Sequence, residues 1–135
     1  MKSVFADTSY YIAFISNDDS NHEAALHWAR RLAPPVITTD FVLVELGNAL
    51  ARAARRETFV RFVADLRADR QTVVMPASRA LLNKGIELYG ARRDKDWSLT
   101  DCMSFVVMRE RGLNEALTSD HHFTQAGFTA LLGRA

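Results

Sequence analysis

Four acidic residues of this chain stand where a predicted strand meets a helix or near a helix start, and carboxylates placed in this way can bind a divalent cation. Asp7 directly follows an apolar run at residues 4–6, and Asp120 follows a later run of the same kind. Glu45 lies just inside a predicted helix, and Asp101 opens another. Three carboxylates within about 6 Å of one another would repel by about 8 kcal/mol in total at an effective dielectric of 20. Protons or a cation must offset such repulsion.

Each acid also has a purely structural interpretation as a helix cap, which is worth roughly 0.5 to 2 kcal/mol. Asp101 fits that interpretation as the acid of a capping box that begins at Ser98. Asp40 fits it as a plain cap, and we leave it outside the predicted site. Glu45 is different because it falls beyond the first turn of an otherwise apolar helix, where an unpartnered acid is costly.

The type of ligand predicts the type of ion. An acid-rich set of oxygen ligands selects hard cations, so the sequence favours magnesium or manganese over zinc. Such an ion can activate a water molecule for attack on a phosphodiester. His121 and His122 follow Asp120, but neither has a second histidine at helical ligand spacing. We interpret them as locally packed residues, with a metal or general-acid role as the alternative.

Short apolar runs alternate with helical patterns along the chain. Strands are predicted at residues 4–6, 36–38, 72–75 and 116–118, with a possible fifth at the sheet edge, 128–132. This alternation predicts a three-layer α/β/α fold around a mainly parallel sheet of four to five strands. Ligands of such sheets bind outside the carboxyl ends of the strands, which is where the acids stand.

Two of the predicted helices have assigned faces and ends. One places Ala25, Trp28, Ala29 and Leu32 on its apolar face and stops at Pro34 and Pro35. Another begins at Pro76 and places Leu82, Ile86 and Tyr89 on one side.

Length and composition restrict the class of protein. A chain of 135 residues with 48% hydrophobic and 24% charged residues is typical of one globular domain, here residues 1–135. The net charge of +1 means that an anionic partner must be met by a local basic patch. The single Cys102 cannot form an internal disulfide, which favours a reducing, cytoplasmic setting. No apolar run reaches the ~18 residues of a membrane span, so we expect no membrane partner.

Four sequence segments, in this order, resemble a known family. They are residues 4–9 (VFADTS), 44–46 (VEL), 99–102 (LTDC) and 117–123 (LTSDHHF). Together they are similar to the PIN-domain ribonucleases of bacterial and archaeal toxin–antitoxin pairs, the VapC-like toxins, over nearly the whole chain.

That resemblance implies a function for specific residues. Asp7, Glu45 and Asp101 would be catalytic metal ligands for Mg²⁺ or Mn²⁺, and Asp120 would be a fourth acid. The supporting hydroxyl residues would be Thr8, Ser9, Thr118 and Ser119. The family cleaves RNA with a metal-activated water, is blocked by a small cognate antitoxin protein, and usually forms homodimers.

RNA contacts are predicted from basic and aromatic side chains. Arg52, Arg55 and Arg56 could neutralise phosphates, although a solvated helix face explains them equally well. Trp97 stands among charged residues and could stack on a base.

Two alternative functions remain open on sequence grounds. A magnesium-dependent phosphatase or phospho-acceptor domain would share the fold, but Asp7 is followed two places on by Ser9 and not by a second aspartate. A non-catalytic domain that binds RNA or protein would use the same acids only as caps.

Overall fold

The central sheet of the computed structural model explains how the acids can meet. The structure describes residues 3–31 and 35–133. Within these ranges the strands are β1 (Val4–Ala6), β2 (Val36–Thr39), β3 (Thr72–Met75), β4 (Glu115–Leu117) and β5 (Thr129–Ala130). They lie in the order β3-β2-β1-β4-β5, and each neighbouring pair is parallel. The prediction of a mainly parallel sheet is confirmed, with an edge strand shorter than the predicted 128–132.

The helices connecting these strands cover both faces of the sheet. They are α1 (Thr8–Ile15), α2 (His22–Arg31), α3 (Asp40–Ala49), α4 (Ala53–Ala68), α5 (Arg79–Ala91), α6 (Leu99–Glu110) and α7 (His121–Gln125). Every residue of β1 and β2 is buried. Since successive side chains of a strand point to opposite faces, both faces must be covered, which confirms the three-layer prediction. Leu32 and Pro34, predicted at the end of the second helix, lie outside the described residues.

Aromatic packing in the core fixes the helices that carry two of the acids. The ring of Phe105 meets Phe123 edge to face, with centroids 4.9 Å apart, and meets Trp97 in the same way at 5.0 Å. Phe105 and Phe123 are fully buried, and Trp97 is 4% exposed. Burying side chains of this size contributes several kcal/mol to folding. The start of α6 and the start of α7 are therefore held in one cluster.

The predicted apolar face of α5 is correct at Leu82, which is partly buried against the core, and wrong at its other two positions. Ile86 and Tyr89 are 49% and 55% exposed, whereas the helix buries Leu81 and Gly85. The helix also begins at Arg79 and not at Pro76, because the Ser78 hydroxyl caps it by accepting from the Leu81 N–H. Periodicity analysis gives no weight to glycine, yet here the missing side chain lets α5 lie close to Met103 of α6.

Gly85→Ala should destabilise the protein by about 1–3 kcal/mol, because the new Cβ would lie 2.4 Å from Cγ of Met103. Gly90→Ala, in the same helix, is the matched control. Its Cβ would meet nothing within 4 Å, so the change should stabilise by about 0.5–1 kcal/mol. Urea unfolding of both variants measures the difference. Equal stabilisation by both changes would contradict the close packing at Gly85.

Candidate functional site

The sheet order brings the ends of β1 and β4 together. Phe5 pairs with Ala116 and Ala6 with Leu117, so Asp7 follows one strand and residues 118–120 follow its neighbour. β2 and β3 lie on one side of β1, whereas β4 and β5 lie on its other side. The chain order therefore reverses between β1 and β4. Such a reversal leaves a crevice at the carboxyl ends of the strands, where ligands of α/β sheets bind.

Asp7 points into this crevice and does not cap its helix. It occupies the N-cap position of α1, but its side chain makes no capping hydrogen bond there. Its Oδ2 instead accepts from the Thr118 hydroxyl at 2.9 Å and from the Ser9 hydroxyl at 3.0 Å. Asp7 is 4% exposed. The capping interpretation is therefore wrong for this residue.

The surroundings of Asp7 disfavour its charged form. Burial, as the largest cause, and the charges of Asp101 and Glu45 together raise the pKa of the Asp7 carboxyl to about 7, against the opposing hydrogen bonds from Thr118 and Ser9. Without a cation, Asp7 therefore holds a proton over much of the range in which a free aspartate is ionised.

Glu45 reaches the same region from α3. Its Oε1 accepts a hydrogen bond from the Thr8 hydroxyl, at the start of α1, and the side chain is half-buried. The cap of α3 is Thr39, whose hydroxyl accepts from the Val42 N–H at 3.1 Å. The Thr8 hydroxyl is the hydrogen-bond partner that an acid on an apolar helix requires.

Asp40 does not cap α3. Its Oδ2 accepts from the Ala77 N–H at 2.9 Å, and its other oxygen is 3.9 Å from the Arg67 guanidinium. The plain-cap interpretation is thus corrected, because Thr39 takes that position. Asp40 ties α3 to the segment after β3 and has no contact with the other acids among the described residues.

Asp101 is both a helix-capping residue and a member of the acid cluster. The capping box with Ser98 is present: the Asp101 N–H donates to the Ser98 hydroxyl, and the Ser98 N–H donates to Asp101 Oδ2 at 3.1 Å. The same Oδ2 lies 3.0 Å from Nδ1 of His122. Burial and then the charge of Asp120 raise the pKa of Asp101, against the hydrogen bonds from Ser98 and His122. The capping box fixes the position of the Asp101 carboxyl, and the same carboxyl still contacts His122 in the site.

Asp120 is joined to Asp7 through one hydroxyl. Thr118 Oγ1 donates to Asp7 Oδ2 and accepts from the Asp120 N–H at 3.0 Å. The Asp120 carboxyl caps α7 by accepting from the His122 N–H at 2.9 Å. Ser119 contributes its backbone N–H, which donates to the Ser9 hydroxyl at 3.2 Å. The hydroxyls predicted to support the acids at Thr8, Ser9 and Thr118 all contact them.

His122 is the residue that sequence reasoning undervalued. Its Nδ1 lies 3.0 Å from Asp101 Oδ2 and 3.3 Å from Asp120 Oδ1, and its side chain is 20% exposed. The position two residues after Asp120, in the first turn of α7, was the available signal. It could not reveal the contact with Asp101, which depends on how α7 lies against α6.

The prediction that Trp97 stacks on RNA is wrong. The indole is 4% exposed, and its N–H donates to Gln125 Oε1 at 3.0 Å. The Arg92 guanidinium covers the ring at 5.0 Å from its centroid. Trp97 is a core residue and offers no free face to a base.

The three predicted RNA-binding arginines lie at the start of α4. Arg52 and Arg56 are exposed, and Arg55 donates to the Ser16 hydroxyl just after α1. Ser16 lies at the opposite end of α1 from Thr8, which bonds Glu45. These arginines therefore lie near the C-terminal end of α1, whereas the acids lie near its N-terminal end. The RNA-binding role of the arginines stays a prediction.

The donor set of this crevice fits a hard divalent cation. Asp7, Glu45 and Asp101 present carboxylate oxygens, and the repulsion among their charges adds to burial in raising the pKa of Asp7. A cation between them would offset that repulsion, and oxygen ligands of this kind suit Mg²⁺ or Mn²⁺.

Among the described residues, no helix combines the length and apolar character needed to cross a membrane.

Comparisons with known proteins show what this chain is similar to. The PIN domain model matches residues 4–129. The 23S rRNA-specific endonuclease VapC20 of Mycobacterium tuberculosis strain H37Rv is 30% identical over 126 residues, which cover 93% of this chain and 95% of VapC20. The crystal structure of M. tuberculosis VapC20, a sarcin–ricin loop cleaving toxin, superposes with a TM-score of 0.85 at 28% identity, covering 93% of this chain and 96% of that one.

More distant structures share the fold alone. FitAcB from Neisseria gonorrhoeae has a TM-score of 0.65 at 14% identity and covers 96% of this chain and 95% of that one. DNA-bound VapBC from Salmonella typhimurium has a TM-score of 0.66 at 16% identity and covers 96% and 97%. The resemblance that the sequence suggested is confirmed by the family match and by the similarity to VapC20: this chain belongs to the PIN domain family.

Proposed function

We propose that this chain is a divalent-metal-dependent endoribonuclease that acts as the toxin of a toxin–antitoxin pair. The observation that carries the proposal is the convergence of Asp7, Glu45 and Asp101 at the carboxyl edge of the sheet, with the pKa of Asp7 raised by burial and by the other two charges. Caps alone do not explain this arrangement, because Asp7 and Glu45 cap no helix.

Some residues of the crevice would bind the ion, and others orient these ligands by hydrogen bonds. Asp7, Glu45 and Asp101 hold Mg²⁺ or Mn²⁺, with Asp120 as the fourth acid. The Thr8 hydroxyl orients Glu45, and the hydroxyls of Ser9 and Thr118 orient Asp7. A bound ion supplies positive charge for the phosphodiester and activates the attacking water.

The substrate that we propose is the sarcin–ricin loop of 23S rRNA. Support comes from VapC20, which cleaves that loop and matches this chain at 30% identity over almost its full length. Arg52, Arg55 and Arg56 would contribute phosphate contacts to an RNA of this size. The inhibitory partner is a small cognate antitoxin protein, and a homodimer stays a prediction.

The test of the nuclease proposal is cleavage of 23S rRNA by the purified chain. We expect Mg²⁺ or Mn²⁺ to support cutting at one site and a chelator to stop it. Asp101→Asn should reduce the rate at least about 100-fold, because asparagine keeps the capping geometry and loses the charge. Asp96→Asn is the matched control, since Asp96 is an exposed acid in the loop before α6, and it should cut normally.

Two results would reject the enzyme and identify an alternative. RNA binding without cleavage under any divalent ion would indicate the non-catalytic domain. Turnover of small phosphomonoesters with RNA left intact would indicate a phosphatase.

The toxin role has a test of its own in cells. Induced synthesis of the chain alone should arrest growth, and co-expression of its antitoxin should restore growth, because the antitoxin blocks the crevice. Growth curves with the wild-type chain and the Asp101→Asn variant measure the effect. Arrest by both proteins would show that toxicity does not come from the acids.

A further inference from the structure

Next to the carboxylates, the structure holds a second cluster of groups that can bind a metal. Asp120, His121 and His122 each offer one ligand atom, and these atoms all lie within 4.8 Å of one another. The imidazoles of His121 and His122 are neighbours, with centroids 4.5 Å apart and planes tilted by 51°. Nothing in the nuclease proposal uses either ring.

The contacts of His122 have the spacing of a coordination sphere. Its Nδ1 lies 3.0 Å from Asp101 Oδ2 and 3.3 Å from Asp120 Oδ1. Adjacent ligands held about 2.1 Å from an octahedral ion lie about 3 Å from one another. The ring nitrogen of His122 and the Asp120 oxygen are therefore already at nearly the distance from one another that two ligands of one ion require.

His121 can complete this group. Its Nδ1 is 3.8 Å from Asp120 Oδ1, and its side chain is 75% exposed, so it can rotate toward an ion without displacing core residues. His122 is only 20% exposed and is held in place by Phe123, the fully buried residue beside it. One ligand is thus fixed and one is adjustable.

We propose that His122, Asp120 and His121 form a mixed nitrogen–oxygen site for a first-row transition ion. This site adjoins the carboxylates Asp7 and Glu45, which prefer a hard ion. Imidazole nitrogen favours transition ions over Mg²⁺, so the two positions differ in the metal that they select. Any part that this ion plays in RNA cleavage rests on the proposed function, whereas its binding does not.

The test is pulsed electron paramagnetic resonance of Mn²⁺ bound to the full chain, with Mg²⁺ in excess to fill the carboxylate position. We expect nitrogen modulation from a coordinated imidazole. Labelling the histidines with ¹⁵N should change that modulation without altering the protein, so the result does not depend on a variant folding. Absence of any histidine nitrogen coupling at every Mn²⁺ loading would overturn the proposal.

Variants then identify the ligand. His122→Asn keeps a side-chain N–H near the Nδ1 position but does not ligate as imidazole does, so it should reduce the modulation to that of a single imidazole, from His121, and weaken Mn²⁺ binding at least about tenfold. His27→Asn, an exposed histidine on α2, is the matched control and should change neither. Coupling that survives in a His121→Asn, His122→Asn double variant would also refute the assignment.

This experiment separates the two proposals. Histidine coupling in a protein that cuts no RNA would leave the metal site standing and reject the nuclease. RNA cleavage with Mg²⁺ by a protein that shows no histidine coupling would do the opposite.

Discussion

Asp7→Asn should abolish RNA cleavage and at the same time stabilise the metal-free protein. Loss of a ligand charge should lower the cleavage rate at least about 100-fold, while removal of a buried carboxylate at pH 8 should raise the free energy of unfolding by on the order of 2 kcal/mol. The amide oxygen can still accept from Thr118 and Ser9, so the hydrogen bonds of the crevice remain. Cleavage assays and urea unfolding in the presence of a chelator measure the two effects.

Asp40→Asn is the control for this experiment. Asp40 is also an acid near a helix start, but it accepts from Ala77 and lies apart from the other acids. The variant should cut RNA at the wild-type rate. If Asp7→Asn left cleavage intact, or destabilised the protein as a lost structural contact would, Asp7 would not be part of a metal centre.

The metal-free protein should lose stability as the pH rises from 5 to 8. The folded state holds a proton on Asp7 up to about pH 7, whereas the unfolded chain releases it near the ordinary aspartate pKa of 3.8. The folded state therefore binds more protons across this window, and the free energy of unfolding falls with rising pH. About two pKa units of this difference lie between pH 5 and 7, which corresponds to at most roughly 3 kcal/mol, or a fall in Tm on the order of 10 °C.

Thermal unfolding with a chelator, across this pH range, measures that slope. Added Mg²⁺ should restore Tm most strongly at pH 8, where the ion meets an ionised carboxylate without competition from a proton. Asp7→Asn should flatten the profile, since it removes the titrating group. A metal-free wild type whose Tm rose between pH 5 and 8 would contradict the account of Asp7.

The sequence could predict which acids meet because parallel strands bring their carboxyl ends to one edge. Asp7 and Asp120 follow strands that are neighbours in the sheet, and both were placed by their position after an apolar run. Glu45 was found by a different argument, the cost of an acid on an apolar helix. Asp101 was placed by its position at a predicted helix start and by the family resemblance, while its capping box, which the structure contains, favoured a purely structural role. Each of these signals lies within a few neighbouring residues, so it can be recognised without knowing the tertiary contacts.

The features that sequence missed depend on contacts between distant segments. The charged neighbours of Trp97 suggested exposure, yet the indole packs on Phe105 and donates to Gln125, 28 residues away. The face of α5 was misplaced because Gly85 contributes close packing and no hydrophobicity. The contact of His122 with Asp101 joins two helices whose relative placement no periodicity reveals.

The order of the strands also has a consequence during synthesis. Asp7 and Asp120 meet through Thr118, so the crevice closes only when the last third of the chain docks beside the first strand. A nascent chain of a hundred residues carries Asp7 and Glu45 but lacks Asp101 and Asp120. The acid cluster therefore cannot assemble on the nascent chain until the segment that carries Asp101 and Asp120 has left the exit tunnel of the ribosome.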